Sequence, residues 1–468
     1  MEKEFSTGKG TSCHLVGIGG IGMSGLAQML RASGSEVSGS DRALNNPENK
    51  RIFDSLRKQG IKLFDQDGSF INNVKPDFMI YSTAIENDNP DFIAGSAIPK
   101  IHRAAALSAA MLENKDQSMV AITGSCGKTT VSAWAAESLF LAGSDPSFLT
   151  GGLVNRFVSP ENAGNYRLGS GDYFVFEADE SDKSLTAYKP DYAVILNIGT
   201  DHYSKEELVE VFNKFLSNVG IGAVIEKDVL DKLDKNITGR LKIMTFSQDE
   251  GGSADWNFSD YKAFCGKVET VLNGKFKITL PAPGRHTAAN AAAIAALMAL
   301  MGYPVEKAVE KLQEFKGVWR RFDFAGEMPS GAKVFDDYAH NVEKIVSCLK
   351  AAHEITTGGV SILFQPHGYG PLGFMSEELF KALETNLSEK DRFVMLPVFY
   401  AGGTTSFKPT SAEVIAGFAS KGTKKYLCAE SRKHAAELLH AVTAGDTVVV
   451  MGARDNSLSD FAKELAGR

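Results

Sequence analysis

Residues 121–134 read AITGSCGKTTVSAW, and how this stretch is read decides the fold. An apolar run, MVAITG, turns at Gly124 into SCGKTT, and the helix-like VSAWAAESL follows. Strand, glycine turn and helix in that order make a phosphate cradle, because successive backbone N–H groups and the positive end of the helix dipole face the anion. Lys128 can reach the β- and γ-phosphates as a point charge, and Thr129 can hold a divalent ion through its hydroxyl. The loop is short for its kind, since the position five residues before Gly127 is Ile122 rather than a glycine. A Gly-Lys-Thr triplet arises by chance, so the strand and helix around it carry the reading.

Toward the C-terminus, YFVFEADESD and YAVILNIGTDH read as two buried strands that end in acidic or imidazole side chains. Glu177 and His202 fall where a parallel sheet presents residues to its ligand edge. Beside Thr129, such a carboxylate and imidazole could bind one or two divalent ions against the phosphates. The plainer alternative has Glu177 and Asp179 capping the next helix and His202 as a surface group. The neighbouring phosphate loop favours the metal reading. The block closes with an Ala-rich helix after PAPGRHTAAN.

Toward the N-terminus, HLVGIGGIGMSGLAQML is again strand, glycine turn and helix, with apolar residues at Met23, Leu26, Ala27 and Leu30. EVSGSD and DFMIYSTAI add strands, and the alternation implies an open parallel sheet. The turn suits a pyrophosphate, and its obvious occupant is NAD with Asp41 on a ribose. A separate ATP loop downstream, and no obvious hydride-transfer constellation, disfavour a dehydrogenase. A nucleotide-diphosphate substrate fits the same turn.

The charged piece LENKDQS puts a boundary near residue 115. A third block starts near GVWRRFDFAG and alternates AKVFDDYAH, GVSILFQPHG, RFVMLPVFYAGG, KKYLCA and DTVVVMGA with helical segments. Arg321 could neutralise phosphate charge there. Asp336, Asp337, Tyr338 and His340 could grip a ribose, a metal or an incoming amine, or the Arg and Asp residues could form a structural network.

With 468 residues the chain exceeds a single ordinary core. A net charge of -7 without a long basic run argues against a nucleic-acid surface. Cys13, Cys126, Cys265, Cys348 and Cys428 are scattered without CxxC spacing, which points to a reducing compartment without a disulfide framework or a structural zinc site. The apolar stretches are too short for a signal peptide core or a membrane span, so a cytoplasmic protein with no membrane insertion is expected.

Taken together, TGSCGKTT, EADESD, NIGTDH, GRHTAANAAA, RRFD, DDYAHN and MGARD resemble, in order and over nearly the whole chain, the Mur ligases, the ATP-dependent amide-bond formers of peptidoglycan synthesis. HLVGIGGIGMSGLA, SGSD, STAIENDNPD, IHRAAALSAAM and TGGLV are most similar to the branch that joins L-alanine to UDP-N-acetylmuramate. The resemblance implies an α/β chain of three domains, each on a mostly parallel sheet. These are a Rossmann-like UDP-sugar-binding domain at 1–114, a P-loop-type ATP-binding domain at 115–316, and a Rossmann-like domain at 317–468 that closes over the site.

It further implies UDP-sugar binding by Gly19, Gly20, Gly22, Met23, Ser24, Asp41, Ser82, His102 and Arg103. ATP would lie on Gly124, Ser125, Cys126, Gly127, Lys128, Thr129, Thr130, Asn290, Arg321 and Asp337. Mg2+, with Mn2+ as an alternative, would be held by Thr129, Glu177 and His202, and Lys128, His202, Arg321 and His340 would act in catalysis. The implied partners are UDP-N-acetylmuramate and an amino acid, L-alanine favoured, and the chain is expected as a monomer or homodimer.

The pattern breaks at a few positions. Cys126 stands where that branch usually has His, and a thiol near a helix N-terminus tends toward thiolate, so its oxidation or alkylation could block ATP. Gly368 and Pro371, in FQPHGYGPLG, replace two arginines beside the amino-acid site. Arg454, in MGARD, could supply a replacement cation. Lys214 is the nearest candidate for the carbamylated lysine that some relatives carry. These departures leave open a different acceptor amino acid or UDP-sugar, or a nucleotide-sugar-binding homologue without turnover.

Overall fold

The computed structural model describes residues 5–46, 49–113, 116–180, 183–199, 203–264, 267–400 and 406–467. Its first sheet is wholly parallel and contains β1 (Ser12–Val16), β2 (Glu36–Asp41), β3 (Lys62–Asp65), β4 (Phe78–Tyr81) and β5 (Lys100–His102), in the order β3-β2-β1-β4-β5. The order reverses direction between β1 and β4, and such a switch point opens a crevice at the C-terminal strand ends. The glycine turn after β1 and Ser82 after β4 both lie at that edge.

The second sheet is built from β6 (Ser118–Thr123), β7 (Ser147–Leu149), β8 (Tyr166–Arg167), β9 (Tyr173–Glu177), β10 (Tyr192–Ile195), β11 (Gly222–Glu226) and β12 (Lys242–Phe246). Its order is β12-β11-β10-β6-β9-β7-β8, parallel except for β8. All residues of β6 after Ser118 are buried, as expected for a strand paired on both sides and covered on both faces. The helix Arg285–Leu300 is Ala-rich because it packs almost all round, against β11, β12 and the helix Lys128–Leu141. A three-stranded sheet follows, with β13 (Phe258–Phe264), β14 (Lys267–Leu272) and β15 (Phe276–Leu280).

The last sheet holds β16 (Asp323–Glu327), β17 (Lys333–Asp337), β18 (Val360–Gln365), β19 (Arg392–Met395), β20 (Tyr426–Cys428) and β21 (Thr447–Gly452). The order is β16-β17-β21-β18-β19-β20, and only β16 runs antiparallel. The chain divides into two compact units, one of Met1–Tyr261, Thr270–Thr279 and Arg285–Trp319, the other of Lys262–Glu269, Leu280–Gly284 and Arg320–Arg468. Several strands stop earlier than the stretches read as strands from the sequence: β4 ends at Tyr81 within DFMIYSTAI, β9 at Glu177 within YFVFEADESD and β10 at Ile195 within YAVILNIGTDH. The polar residues beyond them are therefore loops at the sheet edge. Among the described residues no helix is long and apolar enough to cross a membrane.

Candidate active site

The phosphate loop leaves β6 at Thr123 and enters the helix Lys128–Leu141 through Gly127, which caps it in the left-handed region at φ 90°. Only glycine adopts that conformation without strain. Gly124 also has positive φ, and a Cβ there would stand 3.0 Å from both the Leu196 Cβ and the Asn197 nitrogen. The loop is fastened to the end of β10 by Asn197. That side chain accepts the Cys126 N–H at 2.8 Å and donates to the Cys126 carbonyl at 2.9 Å. The Ser125 hydroxyl accepts the Gly199 N–H at 2.7 Å. Asn290, from the helix Arg285–Leu300, comes to 3.7 Å from a Cβ position on Gly127, so it borders the loop. Thr130 follows Thr129 in the first turn of the helix.

Lys128 is mostly buried. Its Nζ donates to the Gly124 carbonyl at 2.8 Å and to Glu180 Oε2 at 2.6 Å, with Asp179 at 3.6 Å. Burial opposes its charge, but the carboxylates of Glu180, Asp179 and Glu177 outweigh that and hold the ammonium above its ordinary pKa. Glu177 pairs in register with Ile122, one strand over from the loop. The Thr129 hydroxyl lies 3.0 and 3.1 Å from the two Glu177 oxygens, and the Gly151 N–H donates to Glu177 at 2.8 Å. A hydroxyl and a carboxylate at that separation fit Mg2+, which takes one or two protein oxygens and fills its shell with water and phosphate. Among the described residues no three His, Cys, Asp or Glu side chains gather into a metal cage. His202 lies outside the described residues. Lys214 is exposed in the last turn of the helix Lys205–Leu216.

At the first sheet, Asp41 closes the glycine turn, with Oδ2 accepting the Gly19 N–H and Oδ1 the Ala43 N–H, each at 2.8 Å. A Cβ on Gly19 would stand 2.6 Å from the Phe53 ring, and one on Gly22 would stand 2.5 Å from Arg103 Nη1. The Arg103 guanidinium therefore lies over the start of the helix Ile21–Ala32, which Gly20 caps. Met23 and Ser24 are buried; the Ser24 hydroxyl accepts from Asn165 at 2.8 Å and the Ser24 N–H donates to the Gly20 carbonyl at 2.8 Å. His102 ends β5, packs edge-on against Tyr81 at 5.6 Å and accepts the Ala104 N–H at 3.3 Å.

In the second unit the two adjacent arginines part ways. Arg320 is fully buried and holds Asp336 at 3.2 Å and the carbonyls of Gly452 and Asp455 at 2.7 and 2.8 Å. It is a structural network. Arg321 is partly exposed over the Tyr338 ring at 5.4 Å. Asp337 accepts the N–H groups of Phe322 and Ala339, both at 2.7 Å, and burial pushes its carboxyl up. His340 donates from Nδ1 to the Tyr338 carbonyl at 2.8 Å, and burial lowers its pKa to about 3, so the ring is neutral near pH 7. It meets His367 edge-on at 5.3 Å. The Arg454 N–H donates to the Tyr338 hydroxyl at 3.2 Å. Gly368 and Pro371 flank and open the helix Tyr369–Asn386, where a proline costs no hydrogen bond.

Sequence reasoning missed Asn197 and Glu180. Both stand inside motifs it singled out, NIGTDH and EADESD; the available signal was a polar residue directly after an apolar run for Asn197, and a third carboxylate in the acidic run after a strand for Glu180.

Residues 12–115 match the Mur ligase family catalytic domain, 122–298 the Mur ligase middle domain and 320–454 the Mur ligase glutamate ligase domain. The UDP-N-acetylmuramate–L-alanine ligase of Chelativorans sp. (strain BNC1) is 33% identical over 462 residues, 94% of each chain. The enzyme of that name from Xanthobacter autotrophicus is 32% identical, covering 97% of this chain and 96% of its own. Among solved structures, UDP-N-acetylmuramate-alanine ligase from Thermotoga maritima superposes with a TM-score of 0.79 at 27% identity over 98% of both chains. A murein peptide ligase from Psychrobacter arcticus shares the fold, with a TM-score of 0.70 at 21% identity over 98% of both chains. The order of the motifs, the strand-end geometry and the near full-length similarity together place this chain in the Mur ligase family.

Proposed function

We propose that the chain is an ATP-dependent ligase that joins L-alanine to the lactyl carboxylate of UDP-N-acetylmuramate and releases ADP and phosphate. The observation that carries this reading is the juxtaposition of the phosphate loop with Thr129 and Glu177 at one sheet edge, in a chain similar to such ligases over nearly its whole length.

A carboxylate resists acyl transfer because its oxygen is a poor leaving group. Moving the γ-phosphoryl of ATP onto that oxygen gives an acyl phosphate and ADP. The amine of the amino acid then attacks the acyl carbon and loses a proton, and the tetrahedral intermediate expels phosphate to leave the amide. Lys128 and Arg321 neutralise charge on the transferred group. Thr129, Glu177 and His202 are the proposed holders of Mg2+, or Mn2+, which when bound neutralises phosphate charge. Asn290 and Asp337 complete the ATP contacts, and Gly124–Thr130 cradle the phosphates. The turn at Gly19, Gly20 and Gly22, with Arg103, receives the diphosphate of the UDP-sugar, and Asp41, Ser82 and His102 line its edge. A neutral His340 accepts a hydrogen bond from the incoming amine better than it accepts a proton, and His202 is the other candidate to take that proton. In this reading 1–114 binds the UDP-sugar, 115–316 binds ATP and 317–468 receives the amino acid, in a cytoplasmic protein.

A second reading keeps the chemistry and changes the acceptor. Gly368 and Pro371 present no guanidinium for the amino-acid carboxylate, and the rings of Tyr369, Tyr400 and Phe407 cluster nearby with centroids 5.3 to 6.5 Å apart. The test is incubation of the purified protein with ATP, Mg2+, UDP-N-acetylmuramate and single amino acids, reading phosphate release and product mass. Release with L-alanine and the mass of its adduct support the first reading, turnover with another amino acid supports the second, and no turnover with any sinks both.

A further inference from the structure

Glu180 has no part in the reaction set out above, yet it is the nearer of the two acidic partners of the phosphate-binding lysine. Its Oε2 lies 2.6 Å from Lys128 Nζ, and the residue is 3% exposed. The same Nζ also donates to the Gly124 carbonyl at 2.8 Å, inside the loop that is to hold phosphate. A phosphate oxygen and a carboxylate oxygen compete for the same ammonium donors. A carboxylate left against Lys128 would also repel a polyanion at close range, with little water between them.

We infer that Glu180 stands in for phosphate on Lys128 in the nucleotide-free chain and is exchanged for it when ATP binds, so that this carboxylate tunes ATP affinity by competition. The inference rests on the assignment of Lys128 to phosphate made above. A contact present only in the empty state stabilises that state alone. Removing it weakens the empty protein and, by linkage, tightens the ligand by the matching factor. A pair kept in both states would change stability and leave affinity alone. A Glu180 that helped to hold nucleotide or metal would lower affinity when removed.

The opposite signs make the test clean. The full chain is titrated calorimetrically with a non-hydrolysable ATP analogue and Mg2+ in three forms: wild type, Glu180→Gln and Glu180→Asp. Glu180→Gln removes the charge with little change of shape, and it is expected to bind the analogue roughly tenfold tighter while its nucleotide-free melting temperature falls. Glu180→Asp keeps the charge but draws it back by one methylene, and a smaller gain is expected. If only one variant folds, its affinity decides. Affinity equal to or below wild type overturns the inference and leaves the Lys128 assignment standing. Failure of the wild type to bind the analogue overturns both.

Discussion

Asn197 grips the Cys126 main chain through both its N–H and its carbonyl, so part of the shape of the phosphate loop is set from another strand. Asn197→Ala should raise the KM for ATP roughly tenfold and cost about 1–2 kcal/mol of stability, read from initial rates and urea midpoints. Asn197→Asp, which keeps only the acceptor, should fall between. At the neighbouring strand end, Glu177→Gln should raise the Mg2+ needed for half-maximal rate by roughly 10- to 100-fold. An unchanged metal titration would remove Glu177 from the metal site. Lys128, Thr129 and Glu177 were legible because their chemistry travels with a short motif. Asn197 was not, since its partner is 71 residues away and meets it only after β10 pairs with β6. Arg320 and Arg321 are indistinguishable as letters. The structure separates them by burying the first, at φ 58°, within the strand-end network.

The helix Tyr369–Asn386 shows how an element can absorb a change in its first turn. Gly370 and Pro371 stand where intrahelical N–H partners are lacking anyway, so the helix forms without an arginine there. Gly368 precedes it at φ 155°, in backbone that side chains rarely adopt. Gly368→Arg is therefore expected to lower stability by about 1–3 kcal/mol without improving the KM for L-alanine, a pairing checked by thermal melts beside steady-state kinetics. An improved KM at unchanged stability would mean that a guanidinium is all the site lacks. Strand and helix order was readable because apolar runs and glycine turns are local signals. Strand ends were not, because DFMIYSTAI returns to apolar residues at Ala84 and Ile85, whereas pairing in the sheet stops at Tyr81.

Across the whole molecule, buried imidazoles tie stability to pH. His14 is fully buried, stacked on Phe70 at 3.9 Å, and burial lowers its pKa from 6.5 to about 3. The unfolded chain thus takes up the proton first, and the stability contributed by the neutral ring is present above about pH 6.5 and lost as pH falls toward 3. Each such group adds about 1.4 kcal/mol per pH unit to the slope over that window. His340, with a pKa also near 3, contributes in the same direction in the second unit. Urea midpoints should drop between pH 7 and pH 5, and His14→Gln should flatten that drop by about one proton. A fold class of parallel sheets was foreseeable from alternating strand and helix signals, whereas the division into compact units depends on which faces meet. The central position of β6, between β9 and β10, also governs which changes of length the chain can absorb. Because neighbouring strands sit about 4.8 Å apart, the sheet works as a ruler that spaces the loop, Glu177 and Asn197, whatever the length of the crossovers between them. Extra residues at 158–162 would lengthen the loop that joins the antiparallel β7 and β8 and leave those spacings intact. One extra residue within Tyr173–Glu177 would turn Glu177 to the opposite face and part it from Thr129.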